Sequence, residues 1–128
     1  MKKYLLDTHT LLWLVENNPK LSKQSRRLLA QNNFQFYVSI ITFWELTIKV
    51  NIGKLSTQIS IEELYNKIFS SKIKILSLDY LHIKKYEGLE LHHRDPFDRI
   101  LIAQAQEENM TIITKDANFA KYDVQIIW

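Results

Sequence analysis

The residues best suited to chemistry in this chain are acids at the edges of apolar segments. Asp7 closes "KYLL", Glu45 interrupts "IITFWELTIKV", Asp98 precedes "RILIAQAQ", and Asp116 lies two residues past "TIIT". Each has an ordinary explanation. Asp7 can cap the next helix, Asp116 can open the turn "DANF", and Glu45 can pair with Lys49 at i, i+4 for roughly 0.2–0.5 kcal/mol. Asp95 can be an N-cap with Pro96 at the first helical position, leaving Asp98 at N3, where a negative charge suits the helix dipole. Those explanations are independent of one another, whereas one shared site accounts for all four acids. Carboxylates a few ångströms apart raise one another's pKa, so a cluster needs a cation. An all-oxygen donor set selects a hard ion, Mg²⁺ or Mn²⁺, which keeps waters for a substrate phosphate to displace. With no Gly-rich phosphate loop, the chemistry that fits is metal-assisted hydrolysis of a phosphodiester. His9, His82, His92 and His93 are not spaced as a zinc set with these acids, and adjacent His92 and His93 are poorly placed to face one metal together.

The elements that must position these acids follow from hydrophobic period and punctuation. "KYLL" (3–6) reads as a buried strand and "THTLLWLVE" (8–16) as a helix; after the break "NNPKLS" a second helix covers 23–32. "QFYVS" (35–39) is strand-like, and the helix over 40–55 stops near Gly53. Ser60 followed by Glu63 is a capping-box pattern for a helix over 60–71. A strand over 72–77, a helix over 78–89, the helix after Asp95, the strand "TIIT" (111–114), a helical turn "DANFAK" and a last strand over 124–127 complete the chain. Strands separated by helices predict an α/β fold with a largely parallel sheet of about five strands. Ligands of such sheets bind at the carboxyl ends of strands, near a switch in strand order. Asp7 and Asp116 fall at such ends.

At 128 residues the chain is expected to form one domain, 1–128, and it contains no cysteine, which excludes disulfides, thiolate metal sites and thiol nucleophiles. No repeat or linker divides it. Two glycines and two prolines leave little room for long irregular loops. Asp7 and His9 interrupt the apolar run of "MKKYLLDTHTLLWLVE", no small-residue cleavage site follows, and no segment approaches the roughly 20 apolar residues of a membrane span, so a cytoplasmic location is expected. Seventeen Lys and Arg against fourteen Asp and Glu give a net charge of +3. Setting the four acids aside leaves ten against seventeen, a surplus of seven positive charges elsewhere that would attract a polyanion.

The motifs "LLDTHTLLWLV", "SIITFWELTIKVNIGKL", "DPFDRILIAQAQ" and "TIITKDANFAKYDVQIIW" together resemble the PIN-domain family, in particular the VapC-type toxins of bacterial toxin–antitoxin pairs. The resemblance runs in order along nearly the whole chain and is weakest over 56–90. It implies a PIN-like fold and a Mg²⁺- or Mn²⁺-dependent endoribonuclease in which Asp7, Glu45 and Asp98 are the three core acids and Asp116 the more variable fourth. Thr8 and Thr114 fall where that family often places a hydroxyl near the metal water. Asp95 matches a residue common in the "DPFDR" subgroup, either cap or site residue. A homodimer and a cognate antitoxin that blocks the site with a flexible segment are also implied.

Lys49, Arg94, Arg99 and Lys115 are the cations nearest in sequence to the acids, and are candidates either for holding an RNA backbone or for pairing with the acids themselves. Trp13, Phe43 and Trp44 read as core or partner interface rather than base-stacking platforms. A phosphoacceptor receiver domain would need paired acids after the first strand, where "LLDTHT" supplies one; an aspartyl phosphatase would need an aspartate where His9 stands. The alternative that survives is a non-catalytic RNA-binding or interaction module retaining the fold.

Overall fold

In the computed structural model, which describes residues 1–128, Lys3–Leu6 forms the central strand β1 of a five-stranded sheet. Around it the chain lays down α1 (Thr8–Val15), α2 (Lys23–Leu29), β2 (Gln35–Ser39), α3 (Ile40–Asn51), α4 (Ile61–Phe69), β3 (Lys74–Leu76) and α5 (Tyr80–Glu87). Helix α6 (Pro96–Glu108), β4 (Thr111–Ile113), a short 3₁₀ helix (Ala117–Lys121) and β5 (Ile126–Ile127) complete it. All neighbouring strands are parallel, in the order β3-β2-β1-β4-β5. The sequence-based elements therefore hold, with ends trimmed: the helix expected over 23–32 stops at Leu29, and the strand expected over 72–77 keeps only Lys74–Leu76.

Successive side chains of a strand face opposite sides of the sheet, and the two cores follow that alternation. Tyr4, Leu6, Phe36, Val38 and Ile113 pack in one cluster with Leu11 of α1, Leu29 of α2, Leu46 of α3 and Leu64 of α4. Leu5 and Ile112 join Leu101, Ile102 and Ala105 of α6 in the other. A sheet covered on both faces needs strands apolar at every position, which is why "KYLL" and "TII" do not alternate with polar residues. Leu5 and Leu6 are fully buried, so truncating either to alanine is expected to cost about 2–5 kcal/mol.

Local signals set the helix ends. Asp7 caps α1 by accepting from the Thr10 amide, and Asp95 caps α6 by accepting from the Phe97 amide, with Pro96 at the first helical position. Gly53, at φ 75°, follows the C-cap of α3 in the left-handed conformation that favours glycine. Ser60 forms only half of the expected box: it accepts from the Glu63 amide, but Glu63 turns back to the Ser60 hydroxyl rather than to its backbone. The reciprocal box occurs at Asp79 and His82 instead. There His82 uses both ring nitrogens, Nδ1 accepting from the Asp79 amide and Nε2 lying 3.0 Å from Glu108 Oε2. That contact ties the buried His82 ring of α5 to α6, so the Asp79–His82–Glu108 cluster is joined by a helix cap and an interhelical bond. No helix is long and apolar enough to cross a membrane.

Strand order also decides where a ligand can sit. From β1 the chain steps outward to β2 and β3, then returns to lay β4 on the other side of β1. That reversal opens a crevice beyond the carboxyl ends of β1 and β4, the general ligand position of open parallel sheets. Asp7 and Thr114 are the first residues past those two strands.

Candidate active site

Four elements deliver the four acids to this edge. Asp7 leaves β1 and is only 5 % exposed; its Oδ1 accepts from the Thr10 amide at 2.8 Å and its Oδ2 from the Thr114 hydroxyl at 2.6 Å. Burial pushes its carboxyl above the usual carboxylate range, and the bonds from Thr10 and Thr114 oppose that rise. Thr114 in turn accepts from the Asp116 amide at 3.0 Å, so one hydroxyl ties the end of β1 to the loop after β4. Thr10 adds a second tie, donating its hydroxyl to the Ile113 carbonyl at 2.8 Å.

Glu45, on the buried side of α3, is 3 % exposed. A buried carboxylate is tolerated only when its oxygens are satisfied, and both are: Oε1 accepts from the Thr8 hydroxyl at 2.7 Å and Oε2 from Lys49 Nζ at 2.6 Å. Lys49 is held above the usual lysine value; burial works against its charge, but Glu45 outweighs burial, with Asp95 and Asp98 adding to it.

Asp98, half-buried at N3 of α6, has its Oδ2 2.9 Å from Nε2 of His93, whose ring N–H donates to the carboxylate. Its carboxyl is pushed up to about 7, chiefly by burial, with Asp95 and Glu45 adding to the rise and His93 opposing it. Asp116 caps the 3₁₀ helix through Oδ1, which accepts from the Asn118 amide at 2.9 Å. His93, Asp98 and Asp116 each offer a ligand atom within 4.8 Å of the others. Capping and proximity of the acids are thus compatible. Asp7, Asp95 and Asp116 are real caps, and Glu45–Lys49 a real pair, at the same time as the acids gather at one edge.

The contacts of the other candidate residues differ from one another. Thr8 and Thr114 donate their hydroxyl protons to Glu45 and Asp7, so each holds one of the carboxylates. Arg99 is committed elsewhere: its guanidinium lies over the Tyr86 ring at 4.6 Å and donates to the Tyr86 hydroxyl and the Leu89 carbonyl, bracing α6 against α5. It is neither a free phosphate clamp nor a partner of the acids. Lys49 pairs with Glu45, Arg94 is exposed and makes no ion pair, and exposed Lys115 lines a cleft with Asp7 and Asp116. His93, which faces Asp98, is not among the candidates drawn from the sequence. Its signal was position, five residues before Asp98 in "HHRDPFD", but setting both histidines aside as a pair hid the one that faces the acid.

The model of the PIN domain matches residues 4–125, from β1 to the residue before the last strand. The chain belongs to the PIN-domain family. Solved structures similar to this PIN domain include VapBC2 from Rickettsia felis bound to a DNA fragment from its promoter, at 20% identity and TM-score 0.70 over 98% of this chain and 97% of that one. DNA-bound VapBC from Salmonella typhimurium matches at 19% identity and TM-score 0.70, over 99% and 98% of the two chains. A toxin–antitoxin complex from Klebsiella pneumoniae matches at 16% identity and TM-score 0.63, over 98% and 96%. At these identities the likeness is one of fold. Among curated proteins no match is found.

Proposed function

We propose that this PIN domain is a Mg²⁺- or Mn²⁺-dependent endoribonuclease and the toxin of a toxin–antitoxin pair, hydrolysing RNA at a site built from Asp7, Glu45, Asp98 and Asp116. The observation that carries the reading is convergence: acids from β1, α3, α6 and the loop after β4 gather at the edge where strand order reverses. Caps and ion pairs alone give no reason for that gathering. The donors fit a hard divalent cation, with Asp98, Asp116 and His93 closely grouped and a second tier of hydroxyls fixing Asp7 and Glu45. When bound there, the ion supplies positive charge for the phosphoryl group and a water acidic enough to attack at neutral pH.

The chain's own residues do the rest. Asp7 and Glu45 are held rigid by Thr114 and Thr8, so their oxygens need no reorganisation on binding. Lys49 supplies positive charge among Glu45, Asp95 and Asp98 and can turn its exposed end toward a phosphate, while Lys115 and Arg94 offer exposed charge to the backbone on either side.

The toxin assignment rests on the neighbours, which are VapBC and toxin–antitoxin complexes. An apolar patch suits a homodimer or an antitoxin: Trp44, 57 % exposed, meets Phe97 edge-on at 5.3 Å above a cleft of about 270 Å³ lined also by Ile41, Leu78, Ile83 and Ile100. An RNA substrate and a protein antitoxin call for an activity in the cytoplasm. The deciding experiment is incubation of partner-free protein with RNA. Cleavage in Mn²⁺ that stops with EDTA is expected; cleavage that persists in EDTA, or none in either metal, would overturn the reading.

A further inference from the structure

A second feature opens directly onto the acids. Asp7 and Asp116 form one wall of a cleft of about 260 Å³ whose other lining residues are His9, Trp13 and Lys115. His9 is exposed on the first turn of α1, and its ring lies 5.6 Å from that of half-buried Trp13, with planes 32° apart. Trp13 is itself fixed, because Trp128 meets it edge-on at 5.7 Å. Lys20 Nζ sits 5.9 Å from the Trp13 ring centroid, adding positive charge beside the aromatic pair.

Helix geometry alone explains why His9 and Trp13 touch, since they are four residues apart. It does not explain why an exposed ring backed by an immobilised indole forms a wall of the cleft that the acids share. A carboxylate wall, an aromatic wall and a lysine make a chemically mixed pocket. Its parts match a nucleotide: acids toward a metal-held phosphate, a π-face for the base, and a cation for the neighbouring phosphate.

We infer that His9, backed by Trp13, is the stacking platform for an unpaired base next to the scissile phosphate, and that Lys115 holds the adjoining phosphate. This rests on the endoribonuclease reading and narrows its substrate. A base can reach a ring face only when it has left a helix, so the substrate is single-stranded or loop RNA rather than paired RNA. Base identity matters little to such a platform, because every base has a π-face.

The test compares binding of three six-residue oligomers, oligoadenylate, oligouridylate and an abasic ribose-phosphate chain, to protein carrying Asp98→Asn so that RNA is held uncut. His9→Ala, at an exposed helical position that tolerates alanine, should weaken both base-bearing oligomers about tenfold and leave the abasic one unchanged. His9→Phe should restore the binding that His9→Ala loses, since it keeps the ring and drops the polar nitrogens. Equal loss on all three oligomers, or no recovery with Phe, would assign His9 to phosphate attraction and overturn the inference. Cleavage of RNA by the unmutated protein, run in parallel, separates the two claims. If it cuts RNA but the His9 variants bind like the parent, only the stacking platform falls; if it neither cuts nor binds RNA, the nuclease reading falls and the platform with it.

Discussion

Nε2 of His93 lies 2.9 Å from Oδ2 of Asp98, so a carboxyl that burial pushes up to about 7 is held by an imidazole from the loop just ahead of its own helix. Carboxylates that ligate metals are commonly fixed by such a partner, and its loss typically costs 10–100-fold in metal affinity. His93→Ala should therefore weaken Mn²⁺ binding by about that factor in a calorimetric titration. His93→Gln, whose amide N–H can still donate to Asp98, should recover most of it. If the alanine variant binds Mn²⁺ like wild type, His93 has no part in the site.

The Asp98 carboxyl also sets a pH dependence. Its pKa stands near 7 in the folded chain against the ordinary 3.8, so the folded state binds the proton more tightly than the unfolded state does. The stability this contributes is present below about pH 4 and is lost as pH rises through 7. Asp7, also raised by burial, acts in the same direction. Metal-free protein should melt several degrees higher at pH 5 than at pH 8, and Asp98→Asn should flatten that slope. An unchanged slope in the variant would show that Asp98 does not titrate as described. Because metal competes with this proton, apparent Mn²⁺ affinity should rise between pH 6 and pH 8.

Lys49 occupies the place among the acids that a cation would share. Its 2.6 Å contact to Glu45 Oε2 joins a carboxylate that is nearly fully buried to an ammonium that is about one-third exposed. Lys49→Met leaves the Glu45 charge with only the Thr8 hydroxyl. In EDTA this should cost about 1–3 kcal/mol, toward the low end because solvent reaches Lys49. Mn²⁺ should shrink the deficit by restoring positive charge. A deficit of equal size in both buffers would place Glu45 outside the metal's reach.

Expression of the chain alone in a bacterial host should arrest growth, and a small antitoxin gene beside its own should relieve the arrest when co-expressed. Asp7→Asn should grow normally. Colony counts on inducing medium decide it, and equal slowing by wild type and Asp7→Asn would detach toxicity from the acids.

The legibility of this protein in its sequence divides along a physical line. Local signals transfer well: "KYLL" and "TII" are strands because both of their faces are covered, and Asp95-Pro96 starts α6 because cap and ring geometry are set within three residues. The four acids were legible because each disturbs an apolar segment. What escaped depends on contacts across the fold. Thr114 reaches Asp7 over 107 residues and Thr8 reaches Glu45 over 37, and no spacing rule says that those hydroxyls hold these carboxylates. Arg99 looked available from its neighbours in sequence; Tyr86 and Leu89, on and after α5, claim it. Trp13 reads as core or partner interface by its helical spacing; it packs against the core and also borders the cleft, which spacing alone does not show.

The central claim, one cation shared by these acids, predicts effects of opposite sign on Asp98→Asn. As a simple N3 residue, Asp98 would contribute a few tenths to about 1 kcal/mol through the helix dipole, with or without metal. Among Glu45, Asp95 and a raised pKa, neutralising it relieves repulsion, so in EDTA the variant should melt as high as wild type or higher. In Mn²⁺ the order should reverse. At a hundredfold excess over Kd, wild type gains about 2.7 kcal/mol and the variant, with its weakened site, gains less. Asp95→Asn is the comparison: asparagine caps nearly as well, and because Asp95 also repels Asp98 this variant should gain in EDTA while keeping its gain in Mn²⁺, with no crossing. Thermal melts of the three proteins in EDTA and in Mn²⁺ make the measurement: a crossing of wild type and Asp98→Asn between buffers is the result expected, and an Asp98→Asn protein destabilised equally in both would contradict the shared metal site.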